Sequence, residues 1–284
     1  MAQKKTAPAI RPFLKWAGNK YRILSRIRRR LPQGKRLVEP FAGSGALFLN
    51  TDFDSYLLSD SNADLINLYR ILQREGADFI DDCERFFRPR NNQEKVYYRY
   101  RAEFNRCTDS RRRSALFVYL NRHGYNGLCR YNASGGFNVP FGRYKNPYFP
   151  ADEMMAFHEQ ARRAVFEHAD YKSVMANTRT GDVVYCDPPY VPLSPSANFT
   201  GYAAGGFSLE QQQELADVAQ ATAARGVPVL ISNHSTPFTK KTYSERGAAL
   251  SRAFGVQRYI SCNGTQRNKA GELLALFELS RFCR

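Results

Sequence analysis

The residues best suited to chemistry are Asp187-Pro188-Pro189-Tyr190, which follow an apolar run at residues 183–186. Such a run, ended by two prolines, predicts a buried strand that stops at a rigid turn, because proline lacks an N–H group and has a fixed φ. In an open α/β sheet, ligands bind at the carboxyl ends of the strands. We therefore expect Asp187 and Tyr190 to face a ligand.

This turn suits the attack of a planar exocyclic amine, such as that of adenine or cytosine. The nitrogen lone pair is delocalised into the ring, and two acceptors, the Asp187 carboxylate and the Pro188 carbonyl, would draw both hydrogens and concentrate electron density on nitrogen. Tyr190 would stack on the base, a contact of about 1–3 kcal/mol. The alternative is an ordinary strand end with Asp187 as a cap, and the tetrapeptide alone leaves it open.

A second strand, within residues 36–39, leads into a turn that contains Gly43 and Gly45. Glycines let a ligand approach the backbone closely, and a helix beginning at Ala46 would offer the positive end of its dipole to a carboxylate. The next strand, at residues 56–59, ends at Asp60, near the offset at which an acidic side chain meets a ribose in nucleotide-binding units. The third glycine of the dinucleotide fingerprint is absent, so an adenosine with an amino-acid tail fits better than NAD.

Near the amino terminus, Trp16, the single tryptophan, lies between Lys15 and Lys20. This pattern indicates either an aromatic wall with cations around a ligand or a turn with an anchoring tryptophan. A helix is predicted from Tyr21, with an apolar face at Leu24, Ile27 and Leu31 and an arginine face. The arginines are solvated or contact phosphates; they are Arg22, Arg26, Arg28, Arg29 and Arg30.

The middle of the chain predicts a helical insertion between the second strand and the Asp187 strand. Apolar periodicity places its helices at residues 65–72, 79–87, 96–104 and 113–120. Residues 121–144 combine Gly and Asn turn signals with aromatics and arginines, which predicts a hairpin or an ordered loop. Arginine reads guanine, asparagine pairs with adenine, and tyrosine can wedge into a stack, so this segment is a candidate DNA reader. A loop that packs on the core is the alternative.

The remaining segments predict the rest of an α/β domain. Residues 151–174 are expected to be largely helical and residues 209–224 to form a helix, with strands at 227–234 and 273–279. Residues 192–207 are predicted to form a long loop of the size of an active-site lid. Residues 263–269 are a basic loop suited to phosphates, with a solvated loop as the alternative.

Composition limits the class of partner. The 284 residues include 42 Lys and Arg against 26 Asp and Glu, a net charge of +16, which favours nucleic acid over membrane. No apolar run approaches the roughly 20 residues of a membrane span, and the first ten residues lack a signal-peptide core, so a cytoplasmic protein is expected. Six cysteines without a C-x-x-C pair and four dispersed histidines predict no metal site.

Several motifs together resemble a known family. Residues 13–20 read Phe-Leu-Lys-Trp-Ala-Gly-x-Lys, residues 39–45 read Glu-Pro-Phe-x-Gly-x-Gly, and Asp60 and the Asp-Pro-Pro-Tyr turn follow in that order. This arrangement resembles the Dam-type DNA adenine-N6 methyltransferases, class alpha D12. The resemblance extends from Phe13 to about Phe277 and includes the long segments at residues 125–132 and 137–144.

The resemblance implies a fold, an activity and a set of roles. The fold would be an α/β class I S-adenosylmethionine-dependent methyltransferase, with a Rossmann-like mixed sheet and an inserted helical-plus-hairpin recognition domain, divided at 1–62, 63–150 and 151–284. The activity would be methyl transfer to N6 of adenine in 5′-GATC-3′ within double-stranded DNA, by a monomer. S-adenosylmethionine would be bound by Trp16, Lys20, Phe41, Gly43, Gly45, Asp60 and Asp187, and the flipped adenine by Asp187, Pro188 and Tyr190. Base reading is implied for Lys15, Leu128, Arg130 and Pro140, insertion into the stack for Tyr125, and contact with the orphaned strand for Asn126.

Three other functions stay open at this point. A cytosine-N4 or an RNA adenine methyltransferase would use the same amine chemistry, although cytosine-N4 enzymes commonly carry Ser where this chain has Asp187. A basic DNA-binding module with an inactive site is the third.

Overall fold

The computed structural model describes residues 9–191, 207–256 and 270–279. Its strands are β1 (Arg36–Glu39), β2 (Ser55–Asp60), β3 (Ala164–His168), β4 (Asp182–Cys186), β5 (Val229–His234), β6 (Ala249–Leu250), β7 (Phe254–Val256) and β8 (Ala270–Phe277). Its α-helices are α1 (Leu24–Arg30), α2 (Ala63–Glu75), α3 (Ala77–Glu84), α4 (Glu94–Arg106), α5 (Ser110–His123), α6 (Ala151–Ala161), α7 (Tyr171–Ala176), α8 (Leu209–Ala224) and α9 (Pro237–Ser244). Short 3-10 helices lie at Tyr21–Ile23, Phe48–Asn50, Arg85–Phe87, Pro89–Asn91 and Tyr125–Gly127.

All eight strands join one mixed sheet in the order β3-β2-β1-β4-β5-β8-β6, with β7 also paired to β8. The strands from β3 to β5 are parallel, and β8 is antiparallel to β5. The chain moves outward from β1 to β3 and then returns to β4, so the strand order reverses between β1 and β4. That reversal is the position at which open α/β sheets bind ligands. The Rossmann-like mixed sheet expected of a class I methyltransferase is confirmed.

Both faces of the central strands are buried, because successive side chains along a strand point to opposite faces of the sheet. Leu37 and Val183 belong to the hydrophobic cluster formed with α1, α2 and α6, whereas Val38 and Val184 belong to the cluster formed with α7, α8 and α9. The first cluster continues without a break into the inserted helices. The division at 1–62, 63–150 and 151–284 stays a prediction.

The four predicted helices of the insertion are confirmed as α2 to α5, with ends that differ by a few residues. They pack on the β2–β3 end of the sheet, where the Arg70 guanidinium donates to the Phe166 carbonyl at 2.7 and 2.9 Å. The Arg113 guanidinium pairs with both oxygens of Asp64, at 2.5 and 2.9 Å, and joins α5 to α2. The insertion is therefore anchored to one side of the sheet.

The helix expected from Ala46 is wrong. The residues after Gly45 form only the 3-10 helix Phe48–Asn50. The Asn50 side chain donates to the Ala46 carbonyl at 2.8 Å, and the Thr51 hydroxyl donates to the Leu47 carbonyl at 3.0 Å. The Leu49 N–H donates to the Gly45 carbonyl at 3.0 Å, as in an α-helix, but side chains take the next two carbonyls that a continuing helix would pair. The dipole argument for this turn therefore does not hold.

The structure adds detail to the expectations for residues 151–174 and 121–144. Residues 151–174 contain β3 between two helices; it is an edge strand whose Val165 is 57% exposed, so it lacks the apolar run of a central strand. The segment 121–144 is an ordered loop, one of the two forms predicted for it. Two isolated antiparallel bridges, Gly124 to Phe141 and Tyr131 to Phe137, take the place of the hairpin that the family resemblance implied. The short strands β6 and β7 were not predicted. The lid residues 192–206 and the basic loop 263–269 lie outside the described residues.

Candidate active site

A cavity of about 870 Å³ opens at the carboxyl ends of β1, β2 and β4. It is lined by most of the residues expected to bind the donor and the base: Trp16, Lys20, Phe41, Gly43, Asp60, Asp187, Pro188 and Tyr190. The fold thus brings together side chains from three strand ends and from the segment that precedes α1. A cavity of this size is within the usual range for small-molecule sites.

Asp187 follows directly after β4 and is the most constrained of these groups. Its Oδ1 lies 2.8 Å from Lys20 Nζ and accepts a hydrogen bond from the Ser232 hydroxyl of β5 at 3.2 Å. Burial raises the pKa of Asp187 above its usual range, and the charge and hydrogen bond of Lys20 oppose that rise. Ser232 was not predicted as a site residue.

The turn after Asp187 is held by side chains from two neighbouring elements. The Gln212 amide of α8 donates to the Pro189 carbonyl at 2.6 Å, and the Asn233 side chain of β5 accepts from the Val191 N–H at 3.2 Å. A second bond from Asn233 to Gln212 Oε1, 2.9 Å, links the two supports. Neither Gln212 nor Asn233 was predicted from the sequence. For Asn233 the available signal was the polar run at residues 232–234, which ends an apolar strand.

Lys20 connects Asp187 to Tyr190. Its ammonium donates to the Gly18 carbonyl, pairs with Asp187 and lies 4.4 Å from the centroid of the Tyr190 ring. The Tyr190 hydroxyl donates to Glu272 Oε2 of β8 at 3.3 Å. Glu272 lines the cavity and is another residue that the sequence did not single out.

The second part of the cavity is built around the end of β2. The Asp60 carboxylate accepts from the backbone N–H of Gly43 at 3.0 Å and of Asn62 at 2.9 Å. Burial raises the pKa of Asp60, and these hydrogen bonds oppose the rise. Gly43 has a φ of 47°, and a Cβ there would lie 3.0 Å from Trp16 Nε1. The Trp16 ring therefore rests on the glycine turn.

Phe41 and Gly45 have different positions. The Phe41 ring lines the cavity and stacks on Tyr171 of α7, with centroids 5.3 Å apart. Gly45 is not among the lining residues; a Cβ there would meet Phe157 and Phe48 at 3.5 Å, so it shapes the wall from behind.

Glu39, the last residue of β1, is an unexpected member of the site. It lines the cavity, is 3% exposed, and its Oε1 has no hydrogen-bond partner among the described residues. Burial, followed by the nearby charge of Asp187, raises the pKa of Glu39 to about 8. An acidic residue that ends an apolar strand before a glycine turn was the available signal.

The predicted DNA readers form one continuous surface. A Cβ at Gly127 would overlap the Lys15 side chain, so the loop and the segment before Trp16 touch. Tyr125 is 51% exposed and its N–H donates to the Pro140 carbonyl at 2.8 Å. Arg130 is exposed, and its guanidinium donates to the Asn138 carbonyl at 2.7 and 3.2 Å.

The residues of this surface around Tyr144 are closely packed. The Asn126 N–H, in a residue with a φ of 53°, donates to the Tyr144 hydroxyl at 2.9 Å. Lys15 Nζ lies 3.8 Å from the centroid of the Tyr144 ring and donates to the Arg122 carbonyl at 3.2 Å. Burial, then the charge of Arg122, lowers the pKa of Lys15 to about 8. Leu128 is partly buried against the core.

Two negative findings concern metal ions and membranes. Within the described ranges, no three His, Cys, Asp or Glu side chains are grouped so that they could hold a metal ion. No helix of the described residues has the length and apolar character needed to cross a membrane. The expected absence of a metal stays a prediction.

Residues 16–254 match the family described as D12 class N6 adenine-specific DNA methyltransferase. The chain belongs to this family. The DNA adenine methylase of Vibrio cholerae O395 is 53% identical over 268 residues, which cover 94% of this chain and 96% of that protein. The DNA adenine methylase of Escherichia coli K12 is 52% identical, with coverage of 94% and 95%.

Membership of the D12 class decides between the functions that the motifs left open. The enzyme is a methyltransferase that acts on adenine and on DNA, so the cytosine-N4, RNA and inactive-module alternatives are set aside. Among solved structures, TrmN from Thermus thermophilus covers 91% of this chain and 48% of its own at 14% identity, with a TM-score of 0.39. That similarity is too low to support any further statement about this D12 enzyme.

Proposed function

We propose that this methyltransferase transfers the methyl group of S-adenosylmethionine to N6 of the adenine in 5′-GATC-3′, after that adenine has left the duplex. One observation carries the proposal: Asp187, Pro188 and Tyr190 share a single cavity with Trp16 and Asp60 at the strand reversal. The names of the relatives support adenine methylation of DNA. The GATC sequence rests on the resemblance of the loop at residues 125–144.

The residues around Asp60 fit S-adenosylmethionine. Gly43 leaves a space beside Trp16 that any Cβ would fill, and Phe41 supplies an apolar wall. The Asp60 carboxylate, held by two backbone N–H groups, keeps acceptor capacity for ligand hydroxyls. Lys20 completes the donor-binding set. Bound S-adenosylmethionine supplies an electrophilic methyl group; the protein contributes position and electrostatics, without a metal.

The Asp187 turn suits the amine. The Asp187 carboxylate would accept one N–H of adenine N6 and the Pro188 carbonyl the other, while the Tyr190 ring stacks on the base. As N6 becomes bonded to carbon it must lose a proton. The raised pKa of Asp187 increases the basicity of the carboxylate that faces this proton. Alignment of the reacting groups provides the remaining rate enhancement.

The reading surface suits a flipped-base mechanism. A base inside the duplex is inaccessible, so the adenine must rotate out of the stack. Tyr125, exposed beside the Pro140 carbonyl, would enter the gap, with Asn126 next to the orphaned base. Lys15 and Arg130 would read base edges, and Leu128 and Pro140 would make apolar contacts.

The proposal also covers the oligomeric state and the cellular location of the enzyme. One asymmetric site serves one target strand, so we expect the enzyme to act as a monomer. Its substrate is DNA and its named relatives are bacterial, so we expect it to act in the bacterial cytoplasm, where the nucleoid lies.

The test is transfer of tritiated methyl groups from S-adenosylmethionine into duplexes that contain GATC, or GATC altered at one base, followed by nucleoside analysis. N6-methyladenine confined to GATC is the expected result. Labelled N6-methyladenine at other sites would refute the GATC assignment and leave the chemistry intact. Asp187→Ala should abolish turnover but retain DNA binding, and full activity in that variant would refute the assigned role of Asp187.

A further inference from the structure

The α1 segment carries an unusual density of arginine. Residues 21–30 contain five arginines and no acidic residue. Ile23, Leu24 and Ile27 are buried, and all five arginines are exposed. At 100° per residue, Arg22, Arg26, Arg29 and Arg30 fall within one arc of about 100°, whereas Arg28 lies on the other flank of the buried stripe. We call these four residues the arginine row.

A triplet of consecutive arginines in α5 provides a comparison. Arg111, Arg112 and Arg113 of α5 each pair with carboxylates of the fold: Arg111 with Glu75 and Asp82, Arg112 with Glu103, and Arg113 with Asp64. By contrast, no carboxylate of the described residues lies within 4.0 Å of the guanidinium of Arg26, Arg28, Arg29 or Arg30. Ion pairs within the fold therefore account for the triplet of α5, whereas they do not account for Arg26, Arg29 and Arg30 of the row.

The row begins at the mouth of the cavity. Arg22 is one of the lining residues. The Arg26 guanidinium lies 4.7 Å from the centroid of the Phe254 ring, and Phe254 is the strand partner of Glu272, which also lines the cavity. From Arg22 to Arg30 a helical path rises about 12 Å, the length of three to four base-pair steps.

The row and the reading surface belong to elements that pack on different ends of the sheet. α1 packs against β8, beyond β5 in the sheet, whereas the inserted helices pack on β2 and β3. The segment at residues 15–20 joins the two ends, since Lys15 touches the loop at residues 125–144, which we call the reading loop, and Lys20 reaches Asp187. DNA that delivers a base to the cavity must pass over its mouth and extend to both sides.

We propose that the arginine row binds the sugar-phosphate backbone of DNA that flanks the target adenine, on the side away from the reading loop. The proposal rests on the DNA substrate of the family and not on the GATC sequence. The helix dipole favours basic residues in the last turn, where Arg29 and Arg30 lie, but it does not account for Arg22 and Arg26. A polyanion with regularly spaced charges does account for the row.

The test compares two charge-matched double variants. Arg29→Gln/Arg30→Gln removes two charges from the row. The control, Arg28→Gln/Arg162→Gln, removes two charges elsewhere: Arg28 is on the other flank of α1, and Arg162 precedes β3 at the edge of the sheet opposite to the cavity. Thermal unfolding of both variants checks the fold, and Arg29→Lys/Arg30→Lys keeps the charge.

The first measurement is affinity for a duplex without a target site as a function of salt. Each lost phosphate contact should reduce the slope of log K against log salt by about 0.9. We expect a reduction of about 1–2 for the glutamine variant of the row and none for the control or the lysine variant. An unchanged slope, or an equal reduction in the control, would overturn the proposal.

The second measurement locates the contact. Hemimethylated duplexes fix which strand is the target, and each is extended by about ten base pairs on one side of the site only. Extension on one of the two sides should strengthen DNA binding by the wild type and the control severalfold. The same extension should leave the DNA affinity of Arg29→Gln/Arg30→Gln unchanged. Equal gains for all three proteins on both sides would place the row off the DNA and refute the proposal.

Discussion

The Lys20 ammonium lies 2.8 Å from Asp187 Oδ1 and 4.4 Å from the centroid of the Tyr190 ring. These are the acceptor and the aromatic face that we assign to the amino group and the ring of adenine. Lys20 therefore has two opposing effects. Its charge lowers the pKa of Asp187 against the effect of burial, and its ammonium competes with the substrate for the same carboxylate.

Lys20→Met should move the acid limb of the activity profile to higher pH. Without the cation, only the Ser232 hydrogen bond opposes the effect of burial, so the pKa of Asp187 rises further. The carboxylate is then protonated, and loses its acceptor function, at a higher pH. The measurement is single-turnover methyl transfer from pH 5 to 9 at saturating donor and DNA. Lys20→Arg keeps the charge and should keep the wild-type limb. Identical limbs in all three proteins would contradict this electrostatic role.

Gly43→Ala should weaken donor binding and Gly247→Ala should not. Both glycines have a positive φ, 47° and 80°, so either alanine should cost about 1–2 kcal/mol of stability. Only at Gly43 does the Cβ meet Trp16 Nε1; at Gly247 nothing lies within 4 Å. We expect a rise of about tenfold or more in the dissociation constant of S-adenosylmethionine for Gly43→Ala alone. Fluorescence of Trp16, the single tryptophan, measures it.

The parts of the site that the sequence predicted are those with strong local signals. Asp187 and Asp60 each end an apolar strand, and in both cases the residues that stop the strand are adjacent in sequence. The helices α2 to α5 were found because their apolar periodicity extends over two or more turns. The helix predicted after Gly45 does not form, and the reason is also local: the Asn50 and Thr51 side chains donate to the carbonyls of Ala46 and Leu47.

The parts that the sequence did not predict depend on contacts between distant elements. Ser232 reaches Asp187 across 45 positions, and Glu272 reaches Tyr190 across 82. Strand order decides these contacts, because β5 lies beside β4, and β8 beside β5, only when the whole sheet forms. The exposed edge strand β3 lacks an apolar run for the same reason: one of its faces meets solvent.

Arg130→Ala should reduce discrimination at one base pair of the target site. The Arg130 guanidinium is fixed by two bonds to the Asn138 carbonyl, so its planar group is held in a set direction at the surface. Loss of a bidentate contact to guanine should lower the preference by about 1–3 kcal/mol at that position. Competition between single-base variants of the site measures it. Arg130→Lys should lose the preference while retaining the salt dependence, and unaltered preference in both would exclude Arg130 as a reader.

Glu39→Gln should flatten the pH dependence of stability. The folded protein holds the Glu39 proton up to a pKa of about 8, whereas the unfolded chain releases it near 4.5. Between these values the folded state binds more protons, so the free energy of unfolding falls as pH rises, by up to about 1.4 kcal/mol per unit. Urea unfolding at pH 5.5 and 7.5 should therefore show that the wild type loses free energy of unfolding as pH rises. The loss should be smaller in Glu39→Gln by about 1–3 kcal/mol. Exposed Glu84→Gln should parallel wild type, and an equally steep loss in Glu39→Gln would show that Glu39 does not hold this proton.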